Sequence, residues 1–290
     1  MERVHDTGMV APVPLLGVAA GVPYVALPPT RGRRRAPLVV AWHGLDPPRS
    51  QQAMAAALPL TRLAAWRVYL GLPMVGTRAP AGGPEELARL GVDDFVGTLL
   101  GPMVEQAVAE FPAAVAGLRT RLPVDEGPIG LLGGQVGAAV ALLALAEAEV
   151  PVRAAALVRP AVQLNRVVAA NDQGHNPNSR WTRAARVVAE RLDFVARAHQ
   201  LAGRSPQPAV LLVCGAGDGA GVGEPAERLW HALADRYRDP GRVALLLVPG
   251  LAQALATEPG TDPAPQPLDA ARVDATVTGW LGRHLTHTEP

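Results

Sequence analysis

The sequence predicts an α/β fold, with a mostly parallel central sheet flanked by helices and an inserted helical lid. Three observations point there. Short apolar runs bounded by Gly or Pro recur along the chain, segments with apolar residues at helical spacing lie between them, and one inter-strand segment, 160–206, is too long for a simple crossover. No internal repeat period interrupts the alternation.

Taken in order, strands are expected at 23–26, 38–42, 67–70, 129–132, 154–158, 209–213 and 243–248. Most are continuous apolar runs, as strands covered on both faces should be. Residues 84–121 carry apolar side chains at helical spacing, and Leu229, Leu233 and Tyr237 form a stripe on another helix. Val273, Val277 and Trp280 mark a last helix able to cover the sheet. Segment 160–206 holds a polar loop, NDQGHNPNSRW at 171–181, followed by an Arg-rich amphipathic helix. It reads as a lid on a core made of 1–159 and 207–290, because ligands of open parallel sheets gather at the C-terminal strand edge. A surface excursion with no ligand role is the alternative.

A chain of 290 residues with 49% hydrophobic content buries a large core, most simply as one domain. The formal net charge of +1 gives no sign of a nucleic-acid partner. All 27 basic residues are Arg, and with 30 Gly and 29 Pro this resembles the codon bias of a GC-rich bacterial genome, a clue to origin and not to chemistry. The single Cys214 excludes an intrachain disulfide and argues for a reducing compartment. The N-terminal MERVHDTGMV lacks a basic segment leading into an apolar run, and no uninterrupted apolar stretch spans a bilayer, so a soluble cytoplasmic protein is expected. Without HExxH, CxxC or paired-His spacing, no metal is expected, and no cofactor is either.

Residues 130–140 read GLLGGQVGAAV, an apolar strand entering a glycine cluster and then an alanine-rich helix. That is the setting of a nucleophile elbow, GxSxG, but its centre is Gln135 within Gly133-Gly134-Gln135-Val136-Gly137. On these residues the sequence resembles the α/β-hydrolase fold family, and the resemblance covers most of the chain because other landmarks follow in order. LVVAWHG ends at His43 and Gly44, similar to the element that supplies a second oxyanion-hole amide. VLLVCGAGD puts Asp218 at the family's acid position, and VPGLAQAL puts Gln253 in the loop that carries its His. The chain thus looks like a divergent, actinobacterial-type member with a degenerate triad, a pseudo-hydrolase.

A carboxamide does not ionise in the useful pH range, so Gln135 cannot attack a carbonyl and Gln253 cannot relay its proton. The backbone donors do not depend on those side chains. The N–H of Val136, with an amide near His43 or Gly44, can still hold an oxyanion, a donor of that kind being worth about 3 kcal/mol. His43, close to Asp46 in sequence, is the candidate acid/base, with a structural role around the loop as the alternative. Trp42, Gly44, Val136, Arg78 and Trp181 are the candidate substrate contacts. Arg49, Trp66, Tyr69 and Phe194 are weaker ones that ion pairing or core packing explains as well. Of the other histidines, His5, His284 and His287 fall in probable tails and His175 in the lid loop.

The resemblance implies a non-hydrolytic enzyme acting on a small carbonyl or quinone-like, polyketide-type metabolite by C–C bond formation, cyclisation or lyase/isomerase chemistry in secondary metabolism. Two alternatives stand beside it: a ligand-binding pseudoenzyme, and an esterase or lactonase with a relocated triad. The expected partner is a small molecule, not nucleic acid or membrane, and a homodimer is left open. One rival motif, Gly215-Ala216-Gly217-Asp218-Gly219-Ala220, fits the dinucleotide pattern GxGxxA. The next strand carries no acidic residue for a ribose, and too little chain follows to complete such a sheet.

Overall fold

The computed structural model describes residues 13–30, 35–172, 181–251 and 254–286. Eight strands form one sheet among them: β1 (Leu15–Ala19), β2 (Val22–Leu27), β3 (Leu38–Trp42), β4 (Trp66–Leu70), β5 (Ile129–Gly134), β6 (Val152–Val158), β7 (Ala209–Gly215) and β8 (Val243–Val248). Their spatial order is β1-β2-β4-β3-β5-β6-β7-β8, antiparallel at β1-β2 and β2-β4 and parallel elsewhere. All seven expected strands are present. β1 is an addition to them, because Leu15, Leu16 and Val18 are exposed on an edge strand and give no buried alternation. It joins β2 through Ala20 and Gly21, both at positive φ, the two-residue turn that suits the strand twist.

Helices α1 (Gln51–Ala57), α2 (Gly83–Asp94), α3 (Gly101–Arg121), α4 (Val136–Glu147), α5 (Leu164–Asp172), α6 (Arg183–Arg191), α7 (Ala198–Ala202), α8 (Gly223–Ala234) and α9 (Leu268–Thr286) complete the described architecture. Side chains alternate across the sheet. Leu38, Val40 and Trp42 of β3 join a core with α3, α4 and α8, while Val39 and Ala41 join a second core with α1 and α9. Val273, Val277 and Trp280 of α9 pack into that second core, as their spacing predicts. α4 is buried from Val136 to Leu145, so its sequence shows no polar face.

The expected helix over 84–121 is in fact two, separated by a π-helical segment, Phe95–Leu100. Asp94 turns its side chain back to accept from Gly97 N at 2.8 Å and so interrupts the α ladder. Between β6 and β7 lie α5, α6 and α7, with residues 173–180 outside the described set. None of the described helices is long and apolar enough to cross a membrane.

In this order the chain runs outward in opposite directions from β3, with β4 on one side and β5 on the other. The loops leaving β3 and β5 diverge there and open a crevice at the C-terminal strand ends.

Candidate functional site

The site is built around the turn from β5 to α4. Gln135 has φ 53° and ψ −112°, a conformation that side-chain-bearing residues rarely adopt. Such strain costs about 1–3 kcal/mol and persists only where the surroundings hold it. Here the backbone is tied on both sides: Gln135 N donates to Val158 O at 2.9 Å, and Gln135 O accepts from Ala138 N at 3.1 Å and Ala161 N at 3.3 Å. The flanking glycines are there for space. A Cβ on Gly133 would reach Ala138 Cα at 2.5 Å, and one on Gly137 would reach Trp42 O at 2.5 Å. This is the geometry of a nucleophile elbow, with a glutamine at its apex.

The Gln135 side chain turns to the loop after β3, where its Oε1 accepts the N–H of Asp46 at 3.0 Å. The amide that meets the elbow is therefore Asp46's. Gly44 N donates to Pro48 O at 3.4 Å, which corrects the expectation that the second donor lies near His43 or Gly44. Gly44 instead borders a crevice of about 10 Å³ that it shares with Gln135 and Arg159.

His43 is also corrected. It is 1% exposed, its Nδ1 lies 2.8 Å from Gly44 O, and its Nε2 receives the N–H of Leu72 at 3.3 Å. Donating from Nδ1 and accepting at Nε2, the ring is neutral. Burial lowers its pKa to about 4, against a smaller opposing effect of the Gly44 carbonyl. It does not line the cavity over the elbow. An imidazole so placed supports the loop and is not the acid/base of this site.

That cavity has a volume of about 510 Å³. Asp46, Gln135, Arg159 and Asp218 form its polar end, and Phe95, Leu100, Leu164, Val167, Val222 and Leu251 form apolar walls. Val136 of α4 lines it as expected. Asp218 faces a partner that the sequence does not reveal, Arg159, at the end of β6. The Arg159 Nε lies 3.0 Å from both carboxylate oxygens, its Nη2 lies 2.6 Å from Oδ1, and both side chains are at least nine-tenths buried. The one signal in the sequence is a charged residue directly after an apolar strand, VRAAALV, and its pairing across 59 positions cannot be read there. Asp218 Oδ2 also accepts from Gly215 N at 2.8 Å. A carboxylate thus fills the glycine-rich loop where a dinucleotide's phosphate would need space, which disfavours the rival motif.

The remaining candidates go elsewhere. Trp42 is 1% exposed and meets Phe111 edge-on, with centroids 5.3 Å apart, in the core beneath α3. Arg78 binds Glu110 at 2.6 and 2.7 Å and Gly71 O at 2.9 Å, away from the cavity. Trp181 is half-buried against the larger core and does not line the cavity. These three are therefore not substrate contacts: packing took the tryptophans and a carboxylate took the arginine. Arg49 is tied to Glu258 and to Leu45 O, while Tyr69 donates to Leu58 O and Trp66 to Pro123 O. Gln253, like His5, His175 and His287, lies outside the described residues.

No protein-family model matches the sequence, and no curated protein matches it by sequence. Solved structures do match its shape. A Thermus thermophilus protein is 18% identical, covering 95% of this chain and 99% of its own at a TM-score of 0.63. A Mycobacterium tuberculosis puromycin-hydrolyzing peptidase is also 18% identical at a TM-score of 0.63, and a Pyrococcus furiosus esterase is 14% identical at 0.57. The match covers 98% of this chain against the peptidase and 94% against the esterase, but 41% of the peptidase and 92% of the esterase. The chain therefore spans under half the length of the peptidase. The peptidase and the esterase are hydrolases, and likeness at such identity reaches only to architecture. With its strand order, elbow and crevice, the chain has the α/β-hydrolase fold.

Proposed function

We propose that this protein is a non-hydrolytic, degenerate-triad user of that fold, a pseudoenzyme that binds a small, largely apolar carbonyl-bearing or quinone-like metabolite in the cavity over the elbow. One observation carries the reading: the apex of the elbow is a carboxamide bonded to the Asp46 amide. It has no ionisable nucleophile, and the carboxylate at the acid position is committed to Arg159. With Gln253 at the third position, the triad would read Gln135, Asp218, Gln253. The apolar walls suit a hydrophobic ligand, and Leu164 and Val167 of α5 support 160–206 as a lid.

A second reading keeps turnover: cyclisation, C–C bond formation or lyase/isomerase chemistry on a polyketide-type metabolite. Asp46 favours it, as an exposed carboxylate at the cavity's polar end that could carry a proton.

Fluorophosphonate labelling and p-nitrophenyl ester hydrolysis test the shared core of both readings. Neither is expected in the wild type, nor after Gln135→Ser. A naphthoquinone is expected to bind saturably by calorimetry and to be recovered unchanged by mass spectrometry. Ester turnover that Gln135→Ala abolishes would overturn both readings, and product formation that Asp46→Asn abolishes would select the second.

A further inference from the structure

We propose that Gln135 is the resident occupant of a carbonyl-oxygen site, so that a ligand carbonyl and the Gln135 carboxamide compete for the same backbone donor. The inference rests on the reading that the cavity takes a small apolar ligand, and it names the group on that ligand that is recognised. Gln135 Oε1 is itself a trigonal carbonyl oxygen, and it accepts from Asp46 N at 3.0 Å in the cavity's polar end. A ligand that enters with its own carbonyl oxygen finds that donor engaged. It binds there only by displacing Oε1, and a hydrogen bond exchanged for a hydrogen bond yields little net gain. Gln135 thereby sets a threshold against weak acceptors and leaves ligands lacking a carbonyl unaffected.

Gly44 makes this latch possible. A Cβ built at Gly44 would collide with Gln135 Oε1 and approach its Cδ at 2.9 Å. Those atoms are the far end of a flexible side chain, and Gly44 does not have the left-handed backbone that excludes alanine. Gly44→Ala should therefore push the carboxamide off the Asp46 amide while leaving residue 135 a glutamine. Gln135→Ala removes the same occupant by truncation. Two different substitutions thus have one predicted consequence, which cavity enlargement alone does not give, since Gly44→Ala adds an atom.

Fluorine NMR titration with a heptyl trifluoromethyl ketone and the matching trifluoromethyl alkane, on wild type and both variants, tests the proposal. The ketone should bind about tenfold more tightly to each variant than to the wild type, the measure of one hydrogen bond no longer contested. The alkane should bind Gly44→Ala and the wild type equally. The Asp46 amide proton, followed without ligand, should lose its hydrogen-bonded shift in both variants. Ketone affinity that does not rise in either variant, no ketone binding in either, or an Asp46 amide unmoved by either substitution overturns the inference. Failure of the alkane to bind the wild type instead counts against the apolar-ligand reading, so the two failures are distinguishable.

Discussion

His43 holds the loop after β3 through a ring that must stay neutral. Its protonation would set an N–H against the N–H of Leu72 and bury a charge. The folded pKa of about 4 lies below the ordinary 6.5, so the unfolded chain takes up this proton first as pH falls. The stabilising contribution is therefore complete above pH 6.5 and is lost as pH falls from 6.5 to about 4. It amounts to an order of ~3 kcal/mol. Thermal melts across that window should show a decline that His43→Gln, which has no proton to gain, makes shallower; identical slopes would refute the assignment. The contrast with Asp218 is instructive at this scale. Both residues are visible in sequence as candidates, and both prove to be held by groups the sequence cannot place beside them, Leu72 and Arg159.

At the scale of the element, the elbow depends on how closely α4 approaches β3. Gly137 lies in the first turn of α4 against the carbonyls of Trp42 and His43. Alanine gains about 1 kcal/mol of helix propensity over glycine, but forcing a methyl group into backbone costs about 3 kcal/mol. The collision should win, and Gly137→Ala should lower stability by about 2 kcal/mol in urea titration. A neutral or stabilising result would show that the helix can move off the strand. The glycine pattern around Gln135 makes this element legible from the order of residues alone. The broken helix over 84–121 is less so, because apolar spacing persists through Phe95–Leu100 while the break depends on the Asp94 side chain. That segment then supplies Phe95 and Leu100 to the cavity, a role its sequence does not announce.

On the scale of the whole molecule, the cavity is assembled from the loops after β3, β5, β6 and β7, the π-helical segment and α5. Val167 contributes from α5 and is partly exposed to the empty volume. Val167→Trp should fill part of the cavity, weaken the naphthoquinone by at least about tenfold and leave the melting temperature nearly unchanged. Calorimetry and thermal melts on the same samples check this; undiminished affinity would place the ligand elsewhere. Sequence alone determined the strand series, the helix covering the second core, and the elbow with an amide at its apex. Those features rest on short-range pattern: continuous apolar runs, helical spacing, and glycines where backbone meets backbone. Only the tertiary structure decided which polar groups meet. It buried His43 and Trp42, gave Arg78 to Glu110, joined Asp218 to Arg159 and turned Gln135 onto the Asp46 amide. Hydrogen bonds and ion pairs act over a few ångströms in space between residues far apart in sequence, so no local pattern encodes their partners.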